Sequence, residues 1–290
     1  MEECDDFKVA VLEQKTQEAK EQVCETGKTE AEFRNYVDGE RQKRVEQFYT
    51  MQHAKQTVAF VKEQQAKYNQ LGRCELGIWE CLELLDKLVD ESDPDTDVSQ
   101  LQHALMTAEA IRKQYPEHEW FPVVGLVHDL GKILSLKWDE PQWAVVGDTF
   151  PVGCKFSGKN VFHETFAANP DTAVPEYHTD LGVYEQNCGL RHVDMSWGHD
   201  EYMYQVCVNN GCSLPLEGLY MIRFHSFYPW HKEGGYTYLT DETDREMLQW
   251  VQKFNPFDLY SKGDLPKDVS QLCEYYKKQV LKFFPEKLKW

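Results

Sequence analysis

Val123-Val124-Gly125-Leu126-Val127-His128-Asp129-Leu130-Gly131-Lys132 places an imidazole and a carboxylate side by side at the end of an apolar run. The run has the character of a buried helix, and burying either polar group without a partner is costly. A cation offsets that cost, and neighbouring helix positions can aim two donors at one metal or at two adjacent metals. The alternative is a His-Asp pair satisfied by hydrogen bonds alone. A phosphate-binding loop does not fit. Gly125 and Gly131 enclose five residues instead of four, and Ile133 stands where Ser or Thr would bind magnesium.

On either side of this stretch the apolar residues recur at three- and four-residue steps. Val45, Phe48, Tyr49, Val58 and Val61 predict an amphipathic helix from Arg41 to about Tyr68, and Trp79, Leu82, Leu85, Leu88 and Val89 another after Gly72. The acidic segment Asp90 to Asp97 contains Pro94 and reads as a loop. It is not a calcium-binding EF-hand, because a loop opening at Asp93 would have Val98 for the required Gly and Ala104 for the required Glu. Ser99 or Asp97 is positioned to cap the next helix, which carries Leu101, Leu105, Ala108 and Ile111. After Pro116 a helix is expected from about Phe121 to Leu136.

Residues Trp138 to Trp197, dense in Gly, Pro, Asn and Asp, read as irregular with a short hairpin. Helices are expected again at Asp200 to Val208 and at Leu214 to Arg223. Two more follow, one from a cap at Thr240 or Thr243 through Phe254 and one from Val269 through Phe283. Nothing resembling a linker divides residues 31–290. The expectation is an all-α, compact single domain preceded by a flexible acidic lead-in over residues 1–30.

Composition narrows the function. Of 290 residues, 41% are hydrophobic and 28% charged, which suits a globular chain. Lysine and arginine number 31 against 49 aspartates and glutamates, leaving a formal charge of −18. Such a surface repels polyanions, so neither nucleic acid nor an anionic membrane is an expected partner. The longest apolar stretch is about seven residues, against roughly 20 for a membrane span. An acidic amino terminus is unlike a secretory or mitochondrial leader, and the nine cysteines form no C-x-x-C pair. A cytoplasmic protein is expected, with reduced thiols mostly buried as small hydrophobes.

Ten histidines are present, and one of them, His103, lies on the predicted helix before His128-Asp129. A His-Asp pair in an apolar helix, an upstream histidine and a distant aspartate resemble the HD-domain superfamily of helical metalloproteins. Longer stretches sharpen the likeness: Pro141-Gln142-Trp143-Ala144-Val145-Val146-Gly147-Asp148-Thr149-Phe150-Pro151-Val152-Gly153-Cys154 and Met195-Ser196-Trp197-Gly198-His199-Asp200-Glu201-Tyr202-Met203-Tyr204. Tyr220-Met221-Ile222-Arg223-Phe224-His225-Ser226-Phe227-Tyr228-Pro229-Trp230-His231 and Phe254-Asn255-Pro256-Phe257-Asp258-Leu259-Tyr260-Ser261-Lys262 continue it. Together these resemble the myo-inositol oxygenase family, over roughly residues 30 to 290.

The resemblance implies a non-haem di-iron enzyme on an HD-type fold that converts myo-inositol and dioxygen to D-glucuronate and water, the first step of inositol catabolism. It implies six metal ligands: His103, His128 and Asp258 on one iron, His199 and His225 on the other, and Asp129 bridging. Asp129 and Lys132 would be catalytic, with Lys132 reaching an inositol oxygen. Arg34, Tyr49, Asp90, Glu91, Ser92, Gly147, Asp148, Ser226 and Lys262 would contact or cover the substrate. The other six histidines have no ligand role by this match.

Two iron ions per chain, mixed-valent Fe(II)/Fe(III), would be the cofactors, and the chain is expected to be a monomer. Ring cleavage takes four electrons from the substrate, enough to reduce dioxygen fully. No NAD, flavin or haem is needed, and no G-x-G-x-x-G occurs. An HD-type phosphohydrolase is the competing enzyme class. It would want several basic groups converging on phosphate, and the Trp-Gly-His and Arg-Phe-His-Ser settings of His199 and His225 favour the oxygenase. A non-catalytic helical module is the third reading, and the intact ligand set argues against it.

Overall fold

The computed structural model describes residues 40–88, 99–260 and 269–290. The lead-in, Arg34, Asp90, Glu91, Ser92 and Lys262 lie outside the described residues. The chain is all-α. Helices α1 (Glu40–Lys55) and α2 (Val58–Tyr68) lead to strand β1 (Glu75–Leu76), and α3 (Ile78–Leu85) follows. Next come α4 (Gln100–Gln114), α5 (Trp120–Val127) and, after a 3₁₀ turn at Leu130–Lys132, the short α6 (Ile133–Lys137). The later elements are α7 (His199–Asn209), α8 (Leu216–Phe224), α9 (Tyr228–His231), α10 (Glu242–Tyr260), α11 (Val269–Val280) and β2 (Leu288–Lys289). None of the helices described is long and apolar enough to cross a membrane.

At the centre lies α5, Trp-Phe-Pro-Val-Val-Gly-Leu-Val, which packs against α4, α8, α10 and α11. A helix apolar on every side belongs in the interior, and Phe121 to Val127 are all buried. Pro122 sits in the first turn, where a missing N–H costs nothing. Ser99 caps α4, its Oγ accepting from the Gln102 N–H at 3.3 Å.

Several boundaries depart from the sequence pattern. The helix expected from Arg41 to Tyr68 is two, because Gln56 leaves the helix to pair its amide with both the N–H and the carbonyl of Trp197, at 2.9 and 2.8 Å. Thr57 then caps α2 through the Phe60 N–H. The helix expected over Phe121 to Leu136 breaks at His128 and Asp129. The cap of α10 is neither Thr240 nor Thr243: Asp241 and Asp244 each accept the other's N–H at 2.9 Å. That helix also runs past Pro256 to Tyr260 and so carries Asp258.

Residues 138–198 are short 3₁₀ turns and bends around one isolated bridge, Pro151 to Met195. No hairpin forms there; among the described residues the two-stranded sheet joins β1 to β2, antiparallel, with Glu75 opposite Lys289 and Leu76 opposite Leu288. Of the seven described cysteines, Cys81, Cys154 and Cys207 are buried and four are partly exposed, so they are less uniformly buried than their composition suggested.

Candidate metal centre

The break after α5 builds the site. Asp129 adopts φ −91°, ψ −1°, and its carbonyl accepts the Lys132 N–H at 2.9 Å. In a 3₁₀ turn, residues three apart eclipse one another. Asp129 and Lys132 therefore share a face, with Lys132 Nζ 2.8 Å from Asp129 Oδ2. Between them, Gly131 meets the start of α7 so closely that a Cβ would lie 2.1 Å from the His199 carbonyl oxygen. Only glycine permits that approach.

Four imidazoles converge on Asp129 from four segments. His103 comes from α4, His128 from the end of α5, His199 from the first residue of α7, and His225 from the end of α8. Asp129 Oδ2 faces His128 and His103 (Nε2 at 3.5 and 3.7 Å), while Oδ1 faces His199 and His225 (3.3 and 3.6 Å). Asp258, from α10, places Oδ1 3.1 Å from Nε2 of both His103 and His128. His199 and His225 approach each other, Nε2 to Nε2, at 3.1 Å.

These contacts ask for a cation. His128 Nδ1 lies 2.9 Å from the Gly125 carbonyl, His199 Nδ1 2.7 Å from that of Val145, and His225 Nδ1 3.0 Å from that of Ile222. A carbonyl oxygen only accepts, so each Nδ1 carries a ring proton, and Nε2 is left either to offer a lone pair to a metal or to take a second proton. Bare nitrogens 3.1 Å from one another, or from a carboxylate, repel unless positive charge lies between them. Without a metal, that positive charge at His199 is a proton: burial works against it, yet the Asp200 and Asp129 carboxylates raise its pKa to about 10. Burial would likewise raise the Asp129 and Asp258 carboxyls, but the facing histidines, with Lys132 beside Asp129, hold both well below their usual range. Buried imidazole and carboxylate donors in this arrangement fit borderline first-row metals such as iron.

The family model described as myo-inositol oxygenase matches residues 42–290. This chain belongs to the myo-inositol oxygenase family. It is 52% identical over 264 residues to an inositol oxygenase of Dictyostelium discoideum, covering 89% of this chain and 90% of that protein. It is 52% identical over 268 residues to an inositol oxygenase of Mus musculus, covering 92% and 93%. Inositol oxygenase 2 of Arabidopsis thaliana is 53% identical over 262 residues, covering 89% and 83%.

Within this family member, Tyr49, Gly147 and Asp148, three of the described residues that the sequence suggested for substrate contact, are neighbours. Tyr49 and Asp148 pair with each other, the hydroxyl 3.0 Å from Oδ1, and Gly147 packs against Phe48 and Gln52 of α1. The Thr149 N–H donates to the Ser226 carbonyl at 2.9 Å, which ties this segment to the one that carries His225. Ser226 in turn donates its hydroxyl and its N–H to Asp200 at 3.0 and 3.2 Å.

Asp200 itself is absent from the sequence-derived set. It is 1% exposed, and its Oδ1 lies 2.8 Å from His199 Nε2 and 3.7 Å from His225 Nε2. A signal was present: His199-Asp200 repeats the His-Asp dipeptide of 128–129. His231, without a ligand role by the family match, braces the site from behind, with Nε2 2.8 Å from the His225 carbonyl.

Proposed function

We propose that this chain is an inositol oxygenase that holds two iron ions and uses dioxygen to cleave the ring of myo-inositol, giving D-glucuronate and water. The observation that carries the reading is the division of Asp129, whose two oxygens face different pairs of imidazoles, as a carboxylate bridging two metals would. In this reading His103, His128 and Asp258 hold one iron, His199 and His225 hold the other, and the resting pair is mixed-valent Fe(II)/Fe(III). When bound, the irons supply Lewis acidity toward inositol hydroxyls and the redox capacity to use dioxygen.

The chain's own residues bind and orient the substrate. Lys132 keeps a positive charge beside the shared carboxylate, where it stabilises an inositol oxygen that gives up its proton. Ser226 spends its hydroxyl proton on Asp200, so its lone pairs are left to accept from an inositol hydroxyl. Tyr49, Gly147 and Asp148 wall the site; Arg34, Asp90, Glu91, Ser92 and Lys262 complete the contacts in this proposal. Residues 31–290 are the catalytic domain, of HD type, and residues 1–30 its acidic lead-in. The chain acts as a cytoplasmic monomer in the first step of inositol catabolism.

Oxygen-electrode measurements on the iron-loaded protein test this directly. Oxygen uptake should require myo-inositol and match glucuronate formed mole for mole. Electron paramagnetic resonance should show a coupled mixed-valent pair whose signal changes when myo-inositol is added. A protein that consumes no oxygen, binds a single zinc ion and hydrolyses phosphate esters would remove the proposal and restore the phosphohydrolase reading.

A further inference from the structure

Helix α7 ends in a turn that brings two thiols together. Asn210 is its cap, Gly211 follows in the left-handed region at φ +65°, and the Cys212 N–H returns to the Cys207 carbonyl at 3.1 Å. The Gly211 N–H bonds to the Val208 carbonyl at 3.4 Å, which completes a Schellman motif. This motif lays the side chain three positions before the cap against the one two positions after it, usually as an apolar contact. Here both are cysteines, Cys207 buried and Cys212 partly exposed, and the turn sets their side chains against each other. A disulfide asks for roughly 4.4–6.8 Å between α-carbons, and here a direct backbone bond from the Cys212 N–H to the Cys207 carbonyl holds the two main chains together.

We propose that Cys207 and Cys212 form a reversible oxidation site, closed to a disulfide by a small disulfide oxidant of the glutathione type. The division of labour follows from burial. Cys212 is the more accessible sulfur, and the Cys207 thiol beside it lowers its pKa to about 7, which favours Cys212 as the attacking group. Burial, with Cys212 beside it, pushes the Cys207 thiol well above its usual value, so it is inert until a mixed disulfide stands next to it.

In the first step Cys212 thiolate attacks one sulfur of oxidised glutathione; the S–S bond breaks and one glutathione leaves as thiolate, taking up a proton. In the second, Cys207 gives up its proton and attacks the Cys212 sulfur, expelling the second glutathione, which is protonated. Two protein thiols are oxidised by two electrons, and one small disulfide is reduced to two thiols. The bond would close the turn between α7, which opens with His199, and α8, which leads into His225.

The full-length iron-loaded protein, equilibrated in mixtures of oxidised and reduced glutathione, then denatured and alkylated, tests this by intact mass and peptide mapping. We expect a species lighter by two hydrogen atoms, with Cys207 linked to Cys212, every other thiol alkylated and full reversal by reduced glutathione. Cys207→Ser should stop with one glutathione on Cys212. Cys212→Ser, altered at the more exposed position, should leave Cys207 unreacted. A lasting glutathione adduct on Cys212 of the unaltered protein, a bond from either sulfur to another cysteine, or complete alkylation of both under oxidised glutathione would each overturn the proposal.

Discussion

The two halves of the candidate centre are built on different plans. Around His103 and His128 a carboxylate of their own, Asp258, sits 3.1 Å from both imidazoles, and all three come from helices or helix ends that pack on the apolar core. Around His199 and His225 the imidazoles face each other, and the nearby carboxylate, Asp200, is already engaged by the hydroxyl and N–H of Ser226. A half with a full donor set suits a metal held for structure and charge. In the proposed di-iron reading, the half with fewer committed donors is the one that would also take the substrate. Asp129 belongs to both.

The strongest way to break this contrast is His128→Ala. It removes a donor from the complete half and leaves Asp258 and Asp129 short of a cation, so iron content by elemental analysis should fall below half of the parent's. Turnover should drop more than about 100-fold, since even residues that only orient a metal ligand are worth 10–100-fold. Near-native iron and activity would end the assignment.

Lys132→Ala acts on the shared carboxylate. It should fold and retain iron, because Asp129 keeps its imidazole partners, while kcat falls by about 100- to 1,000-fold, the usual loss for one donor at a developing oxyanion. An unchanged kcat would take Lys132 out of the reaction.

Asp200→Asn sharpens the contrast. The amide still packs and its oxygen keeps one of the two hydrogen bonds from Ser226, but the negative charge beside the two imidazoles is gone. Iron at the Asp258 half should persist, and kcat/KM for myo-inositol should fall about 10- to 100-fold. Equal loss of both irons would show that the halves are not separable.

His53 gives the smallest effect and an outside reference, a buried imidazole with no carboxylate among the causes of its pKa shift within the described residues. Its Nδ1 reaches Thr165 Oγ1 at 2.7 Å, its ring stacks on Phe166 at 3.8 Å between centroids, and its Nε2 has no hydrogen-bond partner among the described residues. Burial lowers its pKa to about 3. The unfolded chain, protonating near 6.5, takes the proton first. Stability from this group is therefore complete above pH 6.5 and is lost as pH falls toward 3. At pH 5.5 the loss should be about 1.4 kcal/mol. His53→Gln should lack that part of the acid slope in denaturant unfolding between pH 7.5 and 5.5, and an identical slope would contradict the account.

Much of this was legible because helices announce themselves by local period. The core face of α4, the Ser99 cap and the buried run of α5 needed only neighbours three or four residues away. What failed depended on distant partners. The gap between α1 and α2 exists because Gln56 pairs with a backbone 141 residues along the chain, and no local pattern encodes that. Pro256 reads as a breaker, yet α10 continues past it to deliver Asp258. The ligand set came from long motifs read as a family likeness, since spacing alone left a metal and a plain hydrogen-bonded pair both open. Asp200 follows His199 directly in sequence, but its reach to His225 depends on how α7 and α8 pack, which no local pattern encodes.

The contact between Gly131 and the carbonyl of His199 has a consequence for how such an enzyme can change. Main chain touches main chain there, with no side chain to shorten or lengthen, so the separation between the two donor-bearing segments is not adjustable by ordinary substitution. Any change of sequence elsewhere has to leave those two segments at the separation this contact sets.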